Sequence, residues 1–209
     1  MPVSGRLLAL EGIDGSGKTT QARALATALG ARLTHEPGAT PLGLALRQLL
    51  LSPEAPPMSV RAEALLMAAD RAEHVTQVVG PALAAGEWVV SDRFSGSTLA
   101  YQGYGRGLNI AQLGRIVDWA TAGLAPDLSI LVDVPVEVAQ HRLATSAPDR
   151  LERLGPAFAQ SVREGFLTLA AADPTRWVVV DGTSDRTALS AHILAIVHER
   201  VGERTEPGA

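Results

Sequence analysis

A loop near the amino terminus has the residue spacing of a phosphate site. Gly12, Gly17, Lys18 and Thr19 fit the pattern G-x-x-x-x-G-K-[ST]. In such a loop the glycines let backbone N–H groups point inward around an anion, the lysine contacts the β- and γ-phosphates, and the hydroxyl ligates Mg²⁺. Asp14 places a carboxylate in the middle of this loop, where an anion is expected to bind. The pattern therefore predicts a nucleotide site, and Asp14 indicates that a different ligand lies beside the phosphates.

Lys18 is the only lysine among the 18 basic residues of the chain. A compact ammonium suits a position between phosphates beneath a tight backbone loop. A biased amino-acid composition is the alternative explanation, but it does not account for the position of this lysine inside a complete motif. The residues expected to hold the nucleotide phosphates are those of the loop and the first helical turn: Gly12, Gly15, Ser16, Gly17, Lys18, Thr19 and Thr20.

A second polar pair follows a later apolar run, in the segment VVSDRF at residues 89–94. Asp92 and Arg93 would lie at the carboxyl end of a buried strand, where open α/β sheets bind their ligands. There a carboxylate can hold Mg²⁺ or its water, and a guanidinium can bridge donor and acceptor phosphates. A strand-end ion pair is the alternative. We predict Lys18, Asp92 and Arg93 as catalytic residues, and Thr19 and Asp92 as Mg²⁺ ligands.

The elements that must position these residues follow from the hydrophobic pattern. Strands are expected at residues 7–11, 31–34, 87–91, 128–134 and 177–180. Helices are expected at residues 19–29, 42–51, 61–85, 110–122, 136–144, 157–172 and 186–201. In helix 61–85 we expect Leu65, Ala69 and Ala72 to face the core. The alternation predicts an α/β, P-loop NTPase-type three-layer domain: a mainly parallel sheet of about five strands with helices on both faces.

Composition limits the remaining possibilities. The 209 residues, 46% of them hydrophobic, suffice for the core of one domain, which we assign to residues 1–202, with a disordered tail at 203–209. The net charge of −4 without a basic run argues against a nucleic-acid partner. Disulfides and thiolate metal sites are excluded because cysteine is absent. Since no signal peptide or membrane-spanning run is recognisable, we expect no membrane partner and a cytoplasmic location.

Five segments, in this order and over most of the chain, resemble the thymidylate kinase family: EGIDGSGKTT, EPGAT, AADRAEH, SDRF and LAYQGYGRG. The Gly-x-Pro-Gly loop that is usual in adenylate kinases is missing. The resemblance implies transfer of the ATP γ-phosphoryl group to dTMP, which gives dTDP and ADP for dTTP biosynthesis and requires Mg²⁺. It also implies that Asp14 faces the acceptor nucleotide near its 3′-hydroxyl, so that its charge need not oppose the phosphates of ATP.

The polar segment TSAPDRLERLG, at about residues 145–155, resembles the lid of bacterial-type members, which supplies arginine to the transferring phosphoryl group. Eukaryotic-type members carry a catalytic arginine after the acidic loop residue, whereas Gly15 stands there in this chain. We therefore predict Arg150, within DRLE, as the catalytic lid residue, with Arg142 and Arg153 as alternatives. Arg142 is also predicted to contact the bound nucleotide. An ordinary solvated turn is the other interpretation of this segment.

The resemblance also implies an acceptor pocket. Arg71 would donate to a thymine carbonyl, Gln102 would pair with the thymine amide edge, and Met67 would pack on the ring where many bacterial relatives have phenylalanine. Tyr101 would lie near the deoxyribose, and Arg47 would grip the acceptor phosphate. From spacing alone, Met67 and Arg71 indicate only a solvent-exposed helix face. Tyr101 is then equally plausible as a half-buried aromatic residue, and Arg47 as a charge on a helix surface. The predicted substrate-binding residues are Asp14, Glu36, Pro37, Arg47, Met67, Arg71, Arg93, Ser97, Thr98, Tyr101 and Gln102.

Other functions fit part of the pattern. A kinase for another deoxynucleotide or for a deoxynucleoside would share the phosphate loop. A nucleotide-sensing protein would bind without turnover, and the presence of the whole predicted catalytic set disfavours it. A GTP switch is disfavoured because Asp-x-x-Gly is absent outside the loop and the only asparagine, Asn109, precedes isoleucine. The resemblance further implies a homodimer. Helix 110–122 with Trp119 could supply its apolar face, although core burial explains that face equally well.

Overall fold

The computed structural model describes residues 5–144 and 147–202. Its sheet has five parallel strands in the order β2-β3-β1-β4-β5. The strands are β1 Leu7–Glu11, β2 Arg32–His35, β3 Val89–Asp92, β4 Leu128–Asp133 and β5 Trp177–Asp181. The predicted α/β fold of the P-loop type is therefore confirmed. The predicted tail at 203–209, together with residues 145 and 146 of the predicted lid, lies outside the described residues.

Helices surround this sheet, and all the predicted ones except that at 61–85 begin and end within two residues of their predicted bounds. They are α1 Lys18–Leu29, α2 Pro41–Leu51, α3 Val60–His74, α4 Gly80–Ala84, α5 Ser95–Thr98, α6 Ile110–Ala120, α7 Val136–Leu143, α8 Pro156–Ala172 and α9 Arg186–Val201. A 3₁₀ turn, Glu152–Leu154, lies within the predicted lid. Within the two described ranges, none of the helices has the length and apolar composition needed to cross a membrane.

The core has apolar clusters on both faces of the sheet. Successive residues of a strand point to opposite faces, so Leu8 and Leu10 pack with α1 and α9, whereas Leu7 and Ala9 pack with Phe94. A further cluster around Phe166 packs α8 against β4 and the segment after α5. The strands are therefore fixed from both sides, and their carboxyl ends form a rigid edge for the loops that follow.

The prediction that Leu65, Ala69 and Ala72 face the core is wrong. Leu65 is 56% exposed, and Ala69 is also exposed. The buried face of α3 instead carries charged side chains, among them Glu63 and Arg71, each no more than 2% exposed. Burial of a charge is tolerated when the charge is paired and hydrogen-bonded. The partners of these charges lie far away in the sequence, so hydrophobicity alone selected the wrong face.

Two π-helical turns interrupt the predicted helical pattern. Val75–Val79 separates α3 from α4, so the single helix predicted at 61–85 is divided. Pro81 lacks the N–H group that a regular helix needs, and the N–H of Gly80 donates to Val75 O, five residues earlier. The second turn, Leu99–Gly105, continues α5 through a glycine-containing segment for which no helix was predicted. It carries Tyr101 and Gln102 to the edge of the sheet where the phosphate loop lies.

Candidate active site

The phosphate loop connects the end of β1 to the start of α1. Gly12, Gly15 and Gly17 all have positive φ angles, a conformation that side chains with a Cβ rarely adopt. A Cβ at Gly15 would also clash with the carbonyl oxygen of Ala139 in α7. This position therefore excludes any side chain, and the arginine found there in eukaryotic-type members of the resembled family has no room.

Lys18 and Asp14 form an ion pair inside the loop. Lys18 Nζ lies 3.2 Å from Asp14 Oδ1 and donates to the carbonyl oxygen of Ile13 at 3.3 Å. Burial and the nearby guanidinium of Arg93 lower the pKa of Lys18, and Asp14 opposes that effect. Burial of Asp14 disfavours its ionised form, but Arg93 and Lys18 outweigh burial and hold the pKa of this carboxyl well below its ordinary value. Asp14 therefore stays ionised between two cations.

Thr19 and Asp92 meet where the carboxyl ends of β1 and β3 lie side by side. Thr19 Oγ1 donates to Asp92 Oδ2 at 2.5 Å. The other carboxylate oxygen, Asp92 Oδ1, is buried and has no hydrogen-bond partner in the part of the chain that the structure describes. A hydroxyl and a carboxylate are ligands that Mg²⁺ accepts, with phosphates and water in its other positions. The unpartnered oxygen beside Thr19 thus fits the predicted Mg²⁺ site.

Arg93 follows β3 in a left-handed conformation, with φ 73°. Its guanidinium donates to Asp14 Oδ1 at 2.6 Å and to Gly12 O at 3.0 Å. It also donates to Ser97 Oγ at 2.9 Å and to the Tyr101 hydroxyl at 3.1 Å, and it lies 4.9 Å from the centre of the Tyr101 ring. A non-glycine residue with positive φ costs free energy, and here the surrounding contacts hold it. Arg93 is therefore fixed between the phosphate loop and the segment that follows α5.

Glu11, the last residue of β1, is a buried carboxyl that was not among the predicted site residues. Its oxygens accept from the backbone N–H groups of Phe94 and Ser97 at 3.0 and 3.2 Å and from Ser97 Oγ at 2.6 Å. Burial raises the pKa of Glu11 to about 7, although Ser97 and Arg93 act in the opposite direction. Glu11 thereby fixes the position of Ser97, whose hydroxyl accepts a hydrogen bond from Arg93.

A cleft of about 590 Å³ opens beside the phosphate loop. All eleven predicted substrate-binding residues line it. The structure thus brings together side chains from the loop, α2, α3 and the π-helical turn after α5. Four lining residues were not predicted: Leu51, Asp70, Asp149 and Leu151. Asp149 and Leu151 belong to the predicted lid, so that segment forms part of the cleft wall.

Arg71 is held by a buried network at one end of the cleft. Its Nε donates to Glu36 Oε2 at 2.8 Å, its Nη1 to Thr98 Oγ1 at 2.7 Å and its Nη2 to Phe94 O at 2.9 Å. Nη2 also lies 2.7 Å from Glu36 Oε2 as an ion pair. The other oxygen of Glu36 lies 2.8 Å from His74 Nδ1. Of the five N–H donors of Arg71, these contacts leave one on Nη1. The side chain is therefore rigid and retains a donor for a ligand.

Asp70 and Arg47 complete this wall. Asp70 Oδ1 accepts from the backbone N–H of Gly38 at 2.9 Å, and burial, with the nearby charge of Glu36, raises the pKa of Asp70 to about 6. Arg47 Nη1 donates to the carbonyl oxygen of Pro37 at 2.8 Å. Arg47 also lines the groove that contains Lys18. Arg47 thus lies between this cleft and the phosphate loop.

The lid arginines lie at different places. Arg150 donates to Glu63 Oε2 at 2.9 Å and to Leu50 O at 2.7 Å, so in this conformation its guanidinium is engaged by these two groups and not by the phosphate loop. Arg142 donates to the carbonyl oxygens of Ser16 and Gly182 at 3.1 and 3.0 Å and thereby contacts the outer side of the loop. Arg153 is exposed. The catalytic role of Arg150 stays a prediction and requires Arg150 to leave Glu63.

Sequence reasoning missed the carboxylates that hold the binding residues. Glu63 accepts from Gln102, Arg106 and Arg150, and Glu11 accepts from Ser97. For Glu63 a signal was present, because Glu63, Met67 and Arg71 are spaced by four residues and share one face of α3. For Glu11 the sequence contains no comparable signal. A carboxylate at the end of a buried strand is equally typical of a ligand-binding residue, so its position alone does not indicate that it supports Ser97.

Comparisons with known proteins agree with this geometry. Residues 10–193 match the family model described as thymidylate kinase. The thymidylate kinase of Synechococcus sp. (strain CC9902) is 48% identical over 199 residues, which cover 90% of this chain and 94% of the relative. That of Prochlorococcus marinus (strain MIT 9313) is 53% identical over 180 residues, which cover 80% and 83%. The crystal structure of thymidylate kinase from Ehrlichia chaffeensis superposes with a TM-score of 0.76 at 30% identity, covering 93% of this chain and 99% of that one.

The family model spans most of the chain, the relatives are covered over most of their own length, and the structural neighbour has the same fold. The expected resemblance is therefore confirmed, and the chain belongs to the thymidylate kinase family.

Proposed function

We propose that the chain is an ATP-dependent kinase that transfers the γ-phosphoryl group of ATP to dTMP, giving dTDP and ADP for dTTP biosynthesis. The observation that carries the proposal is the junction of two sites at Asp14 and Arg93. Both residues line the acceptor cleft and also the groove that contains Lys18 and Thr19. A donor phosphate and an acceptor phosphate would therefore meet at one guanidinium.

The acceptor nucleotide would lie in the cleft with its base beside Arg71 and Gln102. The remaining N–H of Arg71 would donate to a thymine carbonyl, and Met67 would pack on the ring. Tyr101, whose hydroxyl donates to Asp14 Oδ2 at 2.8 Å, would lie near the deoxyribose. Arg47 would bind the acceptor phosphate. Pro37 would hold Arg47 in place through its carbonyl oxygen, and Glu36 would hold Arg71 in place through their ion pair. Ser97 and Thr98 support the two arginines that contact the ligand.

The reaction needs no strong general base because the acceptor is already an anion, so catalysis depends on positioning and charge neutralisation. The loop N–H groups and Lys18 would hold the β- and γ-phosphates, and Arg93 would bridge the donor and acceptor phosphates. Lys18 would exchange Asp14 for phosphate oxygens when ATP binds. Asp14 would then interact with the acceptor nucleotide near its 3′-hydroxyl, which explains why a carboxylate lies in a phosphate loop.

Thr19 and Asp92 would hold Mg²⁺, which when bound neutralises charge on the donor phosphates. The lid at about residues 145–155 would close over the two nucleotides. Arg150 is the proposed transition-state cation from this lid, and Arg142, which contacts Ser16, would approach the bound ATP.

The experiment that tests the proposal is a panel of acceptors with ATP and Mg²⁺. Initial rates for dTMP, dUMP, dCMP, dGMP and thymidine are measured by ADP formation. We expect dTMP to be the best acceptor, with dUMP next. Preference for dCMP, dGMP or thymidine would indicate a kinase for another deoxynucleotide or for a deoxynucleoside. Binding of ATP without dTMP-dependent ADP formation would indicate a nucleotide sensor and contradict the proposal.

A homodimer and a cytoplasmic location belong to the same proposal. Leu65 on α3 and Trp119 on α6 are 56% and 84% exposed in the single chain, and the two helices contact each other. Large exposed apolar side chains on neighbouring helices favour association. Light scattering after size exclusion should give twice the mass of the chain, and Trp119→Ser should shift the protein toward the monomer. A monomeric wild type at micromolar concentration would contradict the dimer.

A further inference from the structure

The carboxylate of Glu63 lies behind the acceptor cleft and contacts one of its base-binding residues. Glu63 is 0% exposed. Its Oε1 accepts from Gln102 Nε2 at 3.0 Å, and its Oε2 accepts from Arg106 at 2.7 Å and from Arg150 at 2.9 Å. Glu63 does not line the cleft itself, whereas Gln102 does. The contact therefore acts on the ligand only through the amide of Gln102.

The charge of Glu63 makes it a hydrogen-bond acceptor only. Burial raises the pKa of a carboxyl, but hydrogen bonds from Arg106 and Gln102 and the charge of Arg150 outweigh burial and lower the pKa of Glu63. An ionised carboxylate has no proton to donate. The Gln102 amide must consequently turn its NH₂ group toward Glu63, because the reverse orientation would place two oxygens against each other.

This fixed orientation matters because an amide by itself does not distinguish thymine from cytosine. A free glutamine can pair with the N3–H and a carbonyl of thymine, and after a 180° rotation of the amide it can pair with N3 and the amino group of cytosine. With Nε2 held by Glu63, the carbonyl oxygen stays available, and no group in the described part of the chain donates to it. That oxygen accepts from N3–H and repels the lone pair of cytosine N3.

We propose that Glu63 is a specificity-determining positioning residue, which locks the Gln102 amide in the orientation that accepts a pyrimidine N3–H and thereby excludes cytosine nucleotides. This inference rests on the proposed function, since it concerns the acceptor site of that reaction. Arg106 serves the same purpose, because its guanidinium pairs with Glu63 and keeps it ionised even when Arg150 leaves Glu63 for the transferring phosphoryl group.

The test is the ratio of kcat/KM for dTMP to kcat/KM for dCMP, measured for wild type and Glu63→Gln. The glutamine side chain can donate as well as accept, so it permits both orientations of the Gln102 amide. We expect the ratio to fall by roughly 10- to 100-fold, the factor for one mismatched buried hydrogen bond. The ratio of dTMP to dUMP should stay unchanged, because both bases carry N3–H.

Two controls separate orientation from general damage. Arg106→Lys disturbs the same cluster but keeps a cation beside Glu63 and leaves the Glu63–Gln102 contact, so it should lower stability and preserve the dTMP to dCMP ratio. In a Gln102→Met background, where the amide is gone, Glu63→Gln should have no further effect on the ratio. Should Glu63→Gln fail to fold because its two partly buried arginine partners lose their counter-charge, the double variant Glu63→Gln/Arg106→Gln removes one of the two unpaired charges and serves as the test.

The outcomes are distinct. A wild type that does not phosphorylate dTMP contradicts the proposed function. A wild type that phosphorylates dTMP, together with an unchanged dTMP to dCMP ratio in the folded Glu63 variants, overturns the role of Glu63 and leaves the proposed function intact. A fall in the ratio that persists in the Gln102→Met background also overturns it, because Glu63 would then act on the ligand by another route.

Discussion

The phosphate loop and the acceptor cleft lie side by side and are built in opposite ways. The loop is one contiguous segment, and its backbone N–H groups and the side chain of Lys18 form the proposed phosphate site. The cleft is assembled from side chains of several segments, and its charged residues are held mainly by one another. Glu36 and Arg71 are 35 residues apart, and Glu63 and Arg150 are 87 apart. A contiguous motif can be read from sequence, whereas a network of distant buried charges cannot.

Asp14 and Arg93 belong to both regions and join them. Asp14 accepts from Lys18 on the loop side and from Tyr101 on the cleft side. Arg93 contacts the loop carbonyl of Gly12 and the cleft residue Ser97. The comparison therefore predicts that changes in the loop affect turnover while the fold stays intact. Changes in the cleft network should affect stability and specificity together.

The largest expected effect is on turnover, from Lys18→Ala. Loss of the only ammonium at the β- and γ-phosphates should lower kcat at least roughly 1,000-fold, as for the loss of a preorganised charge at the reacting group. The thermal unfolding midpoint should stay close to that of wild type, because the loop is held by backbone hydrogen bonds. Arg115→Ala, which removes an exposed cation on α6, is the control. Near-wild-type activity of Lys18→Ala would contradict the proposed phosphate site.

The next effect is on stability, from Arg71→Leu. Both partners of the Glu36–Arg71 pair are 3% exposed, so removal of the arginine leaves a buried carboxylate with an unpaired oxygen. We expect the free energy of unfolding to fall by about 3–5 kcal/mol, measured by urea denaturation.

The exposed pair between Arg32 and Glu87 provides the matched control, since its partners are 47% and 38% exposed. Arg32→Ala should change the free energy of unfolding by no more than about 1 kcal/mol. Equal losses in the two variants would show that burial does not distinguish the pairs, and the comparison of loop and cleft would lose its energetic basis.

The buried carboxyl of Glu11, where the loop and the cleft meet, should make the stability of the protein depend on pH. Its pKa is raised from an ordinary value of 4.5 to about 7, so the folded state binds the proton more tightly than the unfolded chain. The stabilisation from this proton is complete below about pH 4.5 and is lost as the pH rises through about 7. Between pH 5 and pH 8, the free energy of unfolding of wild type should therefore fall by about 2 kcal/mol relative to that of Glu11→Gln, in which residue 11 does not titrate.

This difference is measured by urea denaturation of both proteins at several pH values. Glu137→Gln, at an exposed carboxylate in the first turn of α7, is the control and should follow wild type. A constant difference between wild type and Glu11→Gln across this range would contradict the raised pKa of Glu11.

The smallest expected effect comes from Met67→Phe in the cleft. A planar ring should stack on thymine better than the flexible thioether, by about 0.5–1.5 kcal/mol, so dTMP should bind more tightly. The KM for ATP should stay unchanged, because Met67 does not line the groove of the phosphate loop. Calorimetric titration with dTMP checks this expectation, and weaker binding by the variant would indicate that residue 67 does not pack on the base.

Prediction from sequence succeeded where one signal was contained in a short segment. The apolar strands and the helix after Lys18 were found within one or two residues. It failed on the buried face of α3, because the charges of Glu63 and Arg71 are compensated by residues that only the fold brings near. It also missed the π-helical turn Leu99–Gly105, since its glycines are typical of loops and its helical form depends on packing against α8.

The most direct test of the central claim follows an isotopic label on the γ-phosphoryl group of ATP in the presence of Mg²⁺ and dTMP. We expect the label to appear in dTDP, with one ADP formed for each dTDP, and Lys18→Ala to transfer almost none. Label that remains in ATP, or that appears only as inorganic phosphate whether or not dTMP is present, would contradict the claim that the loop and the cleft together form a phosphotransfer site.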